Sequence, residues 1–168
     1  ERVSLASLLG KGRDHVQTGI SIGIQDTPRQ LVEKVEHALA AGYRKAKIKV
    51  QPGSDVTYLE AVREALGSDA PLMADANSAY TTTDFDHLAE FDRFGLMMIE
   101  QPLAWDDLVR HAALQRRLAT PLCLDESITT VERLEDMLTL NSGRIVNIKP
   151  GRVGAVSYTH LRAHETDS

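Results

Sequence analysis

The sequence predicts an α/β fold, an incomplete (β/α) barrel of TIM type. Six short apolar runs alternate with five helix-like segments. The alternation repeats about every 25 residues, as expected for one strand, one helix and two short loops. An ionisable side chain recurs at the C-terminal end of five successive strands.

The expected strands are 16–24, 46–50, 72–77, 96–100, 122–125 and 145–149. Each has strand length. The first helix has a clear start. Thr27 is its N-cap, Pro28 fits the first helical position, and Gln30 completes a capping box. Leu31, Val35, Ala38 and Leu39 follow at helical spacing, and Gly42 ends the segment. The second helix is expected over 54–66 with Gly67 after it, and the third over 83–94 with Gly95 after it. The fourth covers 106–118. The fifth carries Val131, Leu134 and Leu138 on one face and ends near 141–143. This β-α alternation builds a parallel sheet. A dinucleotide-binding fold would need a Gly-x-Gly-x-x-Gly turn after its first strand, but Gly23 is followed by Ile24, Gln25 and Asp26. Gly151-Arg152-Val153-Gly154 reads as a tight turn rather than a phosphate loop.

Composition narrows the function. The chain is 42% hydrophobic and 26% charged, with a net charge of -5. That balance gives no reason to expect nucleic acid or an anionic membrane as partner. No apolar run approaches the ~20 residues that span a bilayer. There is no signal-peptide pattern. Cys123 is the single cysteine and suits a reducing, cytoplasmic setting. Its apolar neighbours Pro121, Leu122 and Leu124 mark it as a buried, inert thiol. Tyr58, Tyr80 and Trp105 fit helix faces and loops better than ligand platforms. Nothing in the sequence bears on oligomeric state.

The strand ends carry the chemistry. Lys49, Asp75, Glu100, Asp125 and Lys149 follow one another at intervals of 26, 25, 25 and 24 residues. In (β/α) barrels the active site lies at the C-terminal face of the strands. Side chains alternate along a strand, so Lys47 shares a face with Lys49, and Asp75 with Asn77. Taken singly, Lys-x-Lys is an ordinary solvated strand and a lone Asp an ordinary turn. Jointly they place charges where charges are avoided unless paired. Three converging carboxylates repel, and a bound cation relieves that repulsion. All the donors are oxygens, so a hard ion is expected, Mg2+ or Mn2+. A lysine beside a second ammonium has a lowered pKa and serves as a base, and Lys47 is placed to do this to Lys49. Two lysines flanking the metal imply proton abstraction next to a carboxylate on a small-molecule substrate, with the enolate stabilised by charge.

At these residues the sequence resembles the enolase superfamily, over about 4–154. The segments that carry the resemblance include Lys47-Ile48-Lys49, Asp75-Ala76-Asn77-Ser78-Ala79-Tyr80, Ile99-Glu100-Gln101-Pro102, Asp125-Glu126-Ser127 and Asn147-Ile148-Lys149-Pro150-Gly151. Within the superfamily it is most similar to the o-succinylbenzoate synthases and the N-acylamino acid racemases. Lysine bases working with Mg2+ are an established pattern there, and the roles assigned above rest partly on it. The resemblance implies strands 1–6 of the superfamily's C-terminal barrel. It implies that Asp75, Glu100 and Asp125 bind Mg2+. Lys49 would abstract the proton α to the substrate carboxylate, with Lys47 in support. Lys149 would stabilise the enolate in a synthase, or act as the second acid/base in a racemase. Asn77 would contact substrate or a metal ligand. Ser21 would line the substrate pocket, a plain core position being the alternative.

The implied activity is that of a carbon–oxygen lyase, the dehydration step of menaquinone synthesis. N-acylamino acid racemisation is the first alternative, and a Schiff-base aldolase using Lys149 is a second. The expected domain organisation is the end of a capping domain over 1–15, a partial barrel over 16–154, and a polar tail over 155–168 foreign to the family. His160 and His164 in that tail stand four apart, but the tail gives no reason to read them as a metal site. Six strands leave the first and sixth with an unpaired edge. The chain by itself is therefore expected to be unstable and inactive.

Overall fold

A computed structural model describes residues 7, 10, 15–149, 151 and 152. The expected capping-domain remnant at 1–15 lies outside the described residues except at 7, 10 and 15. The expected tail at 155–168 lies wholly outside them, as do Val153 and Gly154 of the glycine turn.

The described chain alternates strand and helix as expected. Its strands are β1 (Ile20–Ile22), β2 (Ala46–Lys49), β3 (Leu72–Asp75), β4 (Ile99–Glu100), β5 (Leu122–Leu124) and β6 (Ile145–Val146). They form one parallel sheet in the order β1-β2-β3-β4-β5-β6. Sequential order without a switch point is the barrel arrangement, not the doubly wound one. The sheet is open, since β1 and β6 are not paired with each other.

The helices are α1 (Pro28–Ala40), α2 (Asp55–Leu66), α3 (Phe85–Ala89), α4 (Leu108–Gln115) and α5 (Val131–Leu140). Thr27 caps α1, accepting from the Gln30 N–H at 3.3 Å. Leu31, Val35 and Ala38 form its buried face. Its end turns at Gly42, whose φ of 98° only glycine adopts freely. Thr130 caps α5 in the same way, and α5 ends on left-handed Asn141, ahead of the expected glycine.

The third helix departs from expectation. Instead of a continuous 83–94 helix, α3 is flanked by 3-10 turns at Thr82–Asp84 and Glu90–Phe94. The cause is spacing. Leu88, Phe91 and Phe94 are all buried and recur every third residue, which matches the three-residue period of a 3-10 helix. The strands are also shorter than expected. β1 keeps only the middle of 16–24, β4 only the end of 96–100, and β6 only the start of 145–149. β4 stops because Gln101 leaves the extended region at φ 41°.

Alternation sorts the sheet into two faces. Ile22, Ala46, Ile48, Leu72, Ala74, Ile99 and Leu122 pack with Leu31, Val35, Leu59, Val62 and Phe91 from the helices. Full burial of each large aliphatic side chain contributes about 1.5–3 kcal/mol. Truncating Leu59, which is wholly buried, to alanine would cost about 2–5 kcal/mol. The other face carries the polar strand positions, so the register of this sheet sets the site.

The three aromatic side chains sit on helices and loops, as expected. The Tyr58 hydroxyl donates to the Gln25 carbonyl at 2.9 Å. Tyr80 is buried and donates to Asp55. Trp105 is exposed in the loop before α4.

Candidate active site

The register places the strand-end residues side by side. Ser21 pairs with Lys47, Lys49 with Asp75, and Asp75 with Glu100. Glu100 pairs with Cys123, and Cys123 with Ile145. Asp125 lies two residues beyond Cys123, and Asn147 and Lys149 lie two and four beyond Ile145. Period-two alternation therefore puts all of them on one face.

The three carboxylates are deeply placed, with side-chain exposures of 6% for Asp75, 1% for Glu100 and 1% for Asp125. Buried charge requires a partner, and each has one. The Lys47 ammonium donates to Glu100 Oε1 at 2.9 Å and Oε2 at 2.8 Å, and lies 3.2 Å from Asp75 Oδ2. Burial alone would lower the pKa of Lys47, but the bonds and charges of Glu100 and Asp75 outweigh it and raise it. The Lys149 ammonium donates to Asp125 Oδ2 at 2.5 Å. Arg152 donates to both the carbonyl and the carboxylate of Asp125. Burial works to raise the pKa of Asp125, yet the bonds from Lys149 and Arg152 hold it below the ordinary aspartate value.

Lys49 is exposed at the mouth of the site, and its ammonium donates to Asn77 Oδ1. Asn77 in turn donates from Nδ2 to Glu126 Oε1 at 3.2 Å. Lys47 is turned to Glu100 and Asp75 rather than to Lys49. Ser21 is exposed rather than part of the core, and lies beside Lys47 on β1. Cys123 sits beneath the carboxylates. Burial, with the nearby Glu100 charge, pushes its thiol up to about 12, which keeps it inert.

Sequence reasoning missed three participants. Asn147 donates to Glu100 Oε1 at 2.9 Å. Its signal was its place two residues before Lys149, on the same face. Arg152 follows the last strand in a loop, where no periodicity identifies it. Gln101 is wholly buried among the strand ends. Its signal was a polar residue directly after Glu100, which alternation aims away from the site.

Three buried carboxylates at the ends of adjacent strands, offering only oxygen donors, fit a small hard divalent cation. Among the described residues, no three acidic, His or Cys side chains already surround one point. Asp75, Glu100 and Asp125 are turned instead to Lys47, Asn147, Lys149 and Arg152.

Comparison with known proteins gives this arrangement a family. The o-succinylbenzoate synthase of Geobacillus kaustophilus is 53% identical over 92% of this chain and 41% of its own length. An N-succinylamino acid racemase from an Amycolatopsis species is 50% identical over 90% of this chain and 41% of its own length. The chain thus spans about two-fifths of the length of these curated relatives. Among solved structures, an enolase-superfamily member from Listeria innocua Clip11262 superposes with a TM-score of 0.85 at 39% identity, covering 96% of this chain and 44% of the other. A dipeptide epimerase from Enterococcus faecalis V583, solved with Mg and the dipeptide L-Leu-L-Tyr, superposes with a TM-score of 0.82 at 29% identity, covering 89% of this chain and 43% of the other. The sequence model of the Enolase C-terminal domain-like family matches residues 30–164, and this chain, with its parallel strands ending in lysines and carboxylates, belongs to that family within the enolase superfamily.

Proposed function

We propose that the full-length protein is a Mg2+-dependent enolising enzyme whose reaction is the dehydration carried out by o-succinylbenzoate synthase in menaquinone synthesis. One observation carries the reading. Lys49, at the end of β2, and Lys149, in the segment after β6, flank β3, β4 and β5, which bear Asp75 and Glu100 at their ends and Asp125 directly after the last. Two ammonium-bearing side chains flanking three carboxylates suit a small carboxylate substrate that must lose an α-proton. A cytoplasmic setting is part of the same proposal. Among the described residues no helix is long and apolar enough to cross a membrane.

Asp75, Glu100 and Asp125 would hold the ion, with Mn2+ as a substitute for Mg2+. Bound there, the ion would neutralise the charge that grows on the substrate carboxylate during enolisation. The remaining work belongs to the side chains. Lys49, as the free amine, takes the proton α to the carboxylate. Lys149, as the ammonium, balances the negative charge of the enolate. Lys49 then gives its proton to the departing hydroxyl, which leaves as water. One C–H and one C–O bond break, and one C=C bond and one O–H bond form. Asn77 holds Lys49 against the β3 loop and so fixes the direction of its attack.

A second reading is racemisation of N-succinylamino acids, favoured by the 50% identity to the Amycolatopsis racemase. Here Lys149 would deliver its proton to the opposite face while Lys49 keeps the one it removed. A Schiff-base aldolase using Lys149 would instead give a covalent adduct trapped by borohydride and would be indifferent to chelators. The test is to assay the full-length protein with Mg2+ on the hydroxylated cyclohexadiene precursor and on N-succinylamino acids. Brisk dehydration is the expected result. Racemisation without dehydration would transfer the assignment to the second reading. Activity on either substrate that survives EDTA would overturn both.

A further inference from the structure

Gln101 is 0% exposed and directly follows Glu100. Its backbone lies at φ 41°, a region that side chains of this size rarely occupy. Both halves of its amide are in use. Oε1 accepts from the backbone N–H of Asp125 at 3.0 Å and of Ser127 at 3.2 Å. Nε2 donates to Ser127 Oγ at 2.7 Å and to the Leu103 carbonyl at 3.1 Å. The backbone adds two bonds. Its N–H donates to the Cys123 carbonyl at 2.9 Å, and its carbonyl accepts from the Ser78 N–H at 2.7 Å.

One buried residue therefore joins the loops that follow β3, β4 and β5. Those loops follow directly on Asp75 and Glu100 and, after β5, begin with Asp125. His111, also 0% exposed, supports the joint from behind. Its Nδ1 lies 2.6 Å from the Asp107 carbonyl, and its Nε2 accepts from the Leu103 N–H at 3.3 Å. A glutamate at 101 would lack the two N–H donors and would add charge beside Asp125. An asparagine would be one methylene too short to reach both Asp125 and Ser127.

The fold contains a matched comparison. Gln115 is 4% exposed and staples the opposite end of β5. Its Nε2 donates to the Leu118 and Thr120 carbonyls at 3.4 and 3.2 Å, and its Oε1 accepts from the Leu122 N–H at 2.7 Å. The two glutamines share chemistry and burial and differ in which end of the strand they tie.

We propose that Gln101 is a positioning residue that sets the mutual geometry of the three carboxylates by locking their loops together. The proposal rests on the metal-site reading above. Groups that orient metal ligands from behind typically cost about 10–100-fold in metal affinity when lost.

The test uses the full-length protein carrying Gln101→Leu, Gln101→Asn or Gln115→Leu, with Mn2+ as the probe. Mn2+ affinity is read by titration in an EPR cavity. Amide hydrogen exchange is read at Asp125 and Ser127, without metal. Gln101→Leu is expected to speed exchange at Asp125 and Ser127, whose N–H groups lose their side-chain acceptor, and to weaken Mn2+ binding by about 10–100-fold. Gln101→Asn, which keeps the amide but loses reach, serves if Gln101→Leu does not fold, and shifts both readouts the same way. Gln115→Leu is expected to lower thermal stability while leaving Mn2+ affinity unchanged. Equal losses of Mn2+ affinity in the Gln101 and Gln115 variants would overturn the proposal. So would unchanged exchange at these two amides. If the unsubstituted protein binds no Mn2+, the metal-site reading fails, and the exchange data alone decide whether Gln101 locks the loops.

Discussion

Replacing Lys47 with methionine removes an ammonium while keeping most of the side chain's volume. Lys47 contacts Glu100 at 2.8 and 2.9 Å and Asp75 at 3.2 Å, and its side chain is only 18% exposed. Two unit charges about 3 Å apart attract by roughly 5 kcal/mol at an effective dielectric of 20. Desolvation of the ammonium offsets part of that gain. Breaking such a pair leaves an uncompensated buried charge and costs about 3–5 kcal/mol. We therefore expect Lys47→Met to lose about 3 kcal/mol of unfolding free energy in EDTA at neutral pH. A divalent cation supplies the missing countercharge, so saturating Mg2+ should recover much of the loss. An ion present at 100 times its dissociation constant contributes about 2.7 kcal/mol by mass action. The pH dependence follows the raised pKa of Lys47. The stability Lys47 contributes is full below the ordinary lysine pKa and is lost as pH rises through the raised folded value. The gap between the two proteins should therefore hold through neutral pH and close only in strong alkali. The assay is urea unfolding of the full-length protein with EDTA or Mg2+. A loss under about 1 kcal/mol in EDTA, or one that Mg2+ leaves unchanged, would refute the view that Lys47 balances carboxylates that a metal otherwise serves.

Three further outcomes are expected. Lys49→Ala should lower kcat/KM by about 10²–10⁴-fold, the usual worth of a general base. If the racemase reading holds, that variant still exchanges the α-proton of one enantiomer with D2O through Lys149, which NMR would detect. Asp92 accepts from the Ala119 and Thr120 N–H groups at 2.8 Å each. Burial tends to raise its pKa, but these bonds prevail and depress it. Asp92→Asn should thus lose about 1–2 kcal/mol near neutral pH. Because the folded pKa is depressed, that contribution is present above the ordinary aspartate value and disappears as pH falls through the folded value. Unfolding curves from neutral pH into acid test this, and a gap that persists in acid would contradict it. Tyr80→Phe removes one donor from buried Asp55, which keeps the Val56 N–H and His87 Nε2, both at 2.8 Å. A loss of about 1.5–3 kcal/mol is expected from thermal unfolding, as for a hydrogen bond to a charged group.

The β-α alternation and the strand-end charges were legible because each depends on spacing along the chain. Lys49, Asp75, Glu100 and Asp125 could be placed on one face from two-residue alternation, and the register agrees. Element ends were less legible. The 3-10 turns around α3 arise where Phe91 and Phe94 must both reach the core, which depends on what they pack against. Arg152 was invisible because a loop has no period, and its meeting with Asp125 needs the turn after β6.

The sequence by itself determined the order of elements, the direction of the sheet and the identity of the groups at its mouth, because these follow from local periodicity and chain connectivity. Only the tertiary structure decided which groups meet. It turned Lys47 to Glu100 and Asp75 rather than to Lys49, and Lys149 and Arg152 to Asp125. It also tied Gln101 to Cys123 of β5 and to Ser78, Leu103, Asp125 and Ser127 in the loops after β3, β4 and β5. The physical reason is that a buried charge or amide is satisfied by whatever lies within about 3 Å. Those neighbours come from strands some 25 residues apart in the chain, brought together only when the sheet forms.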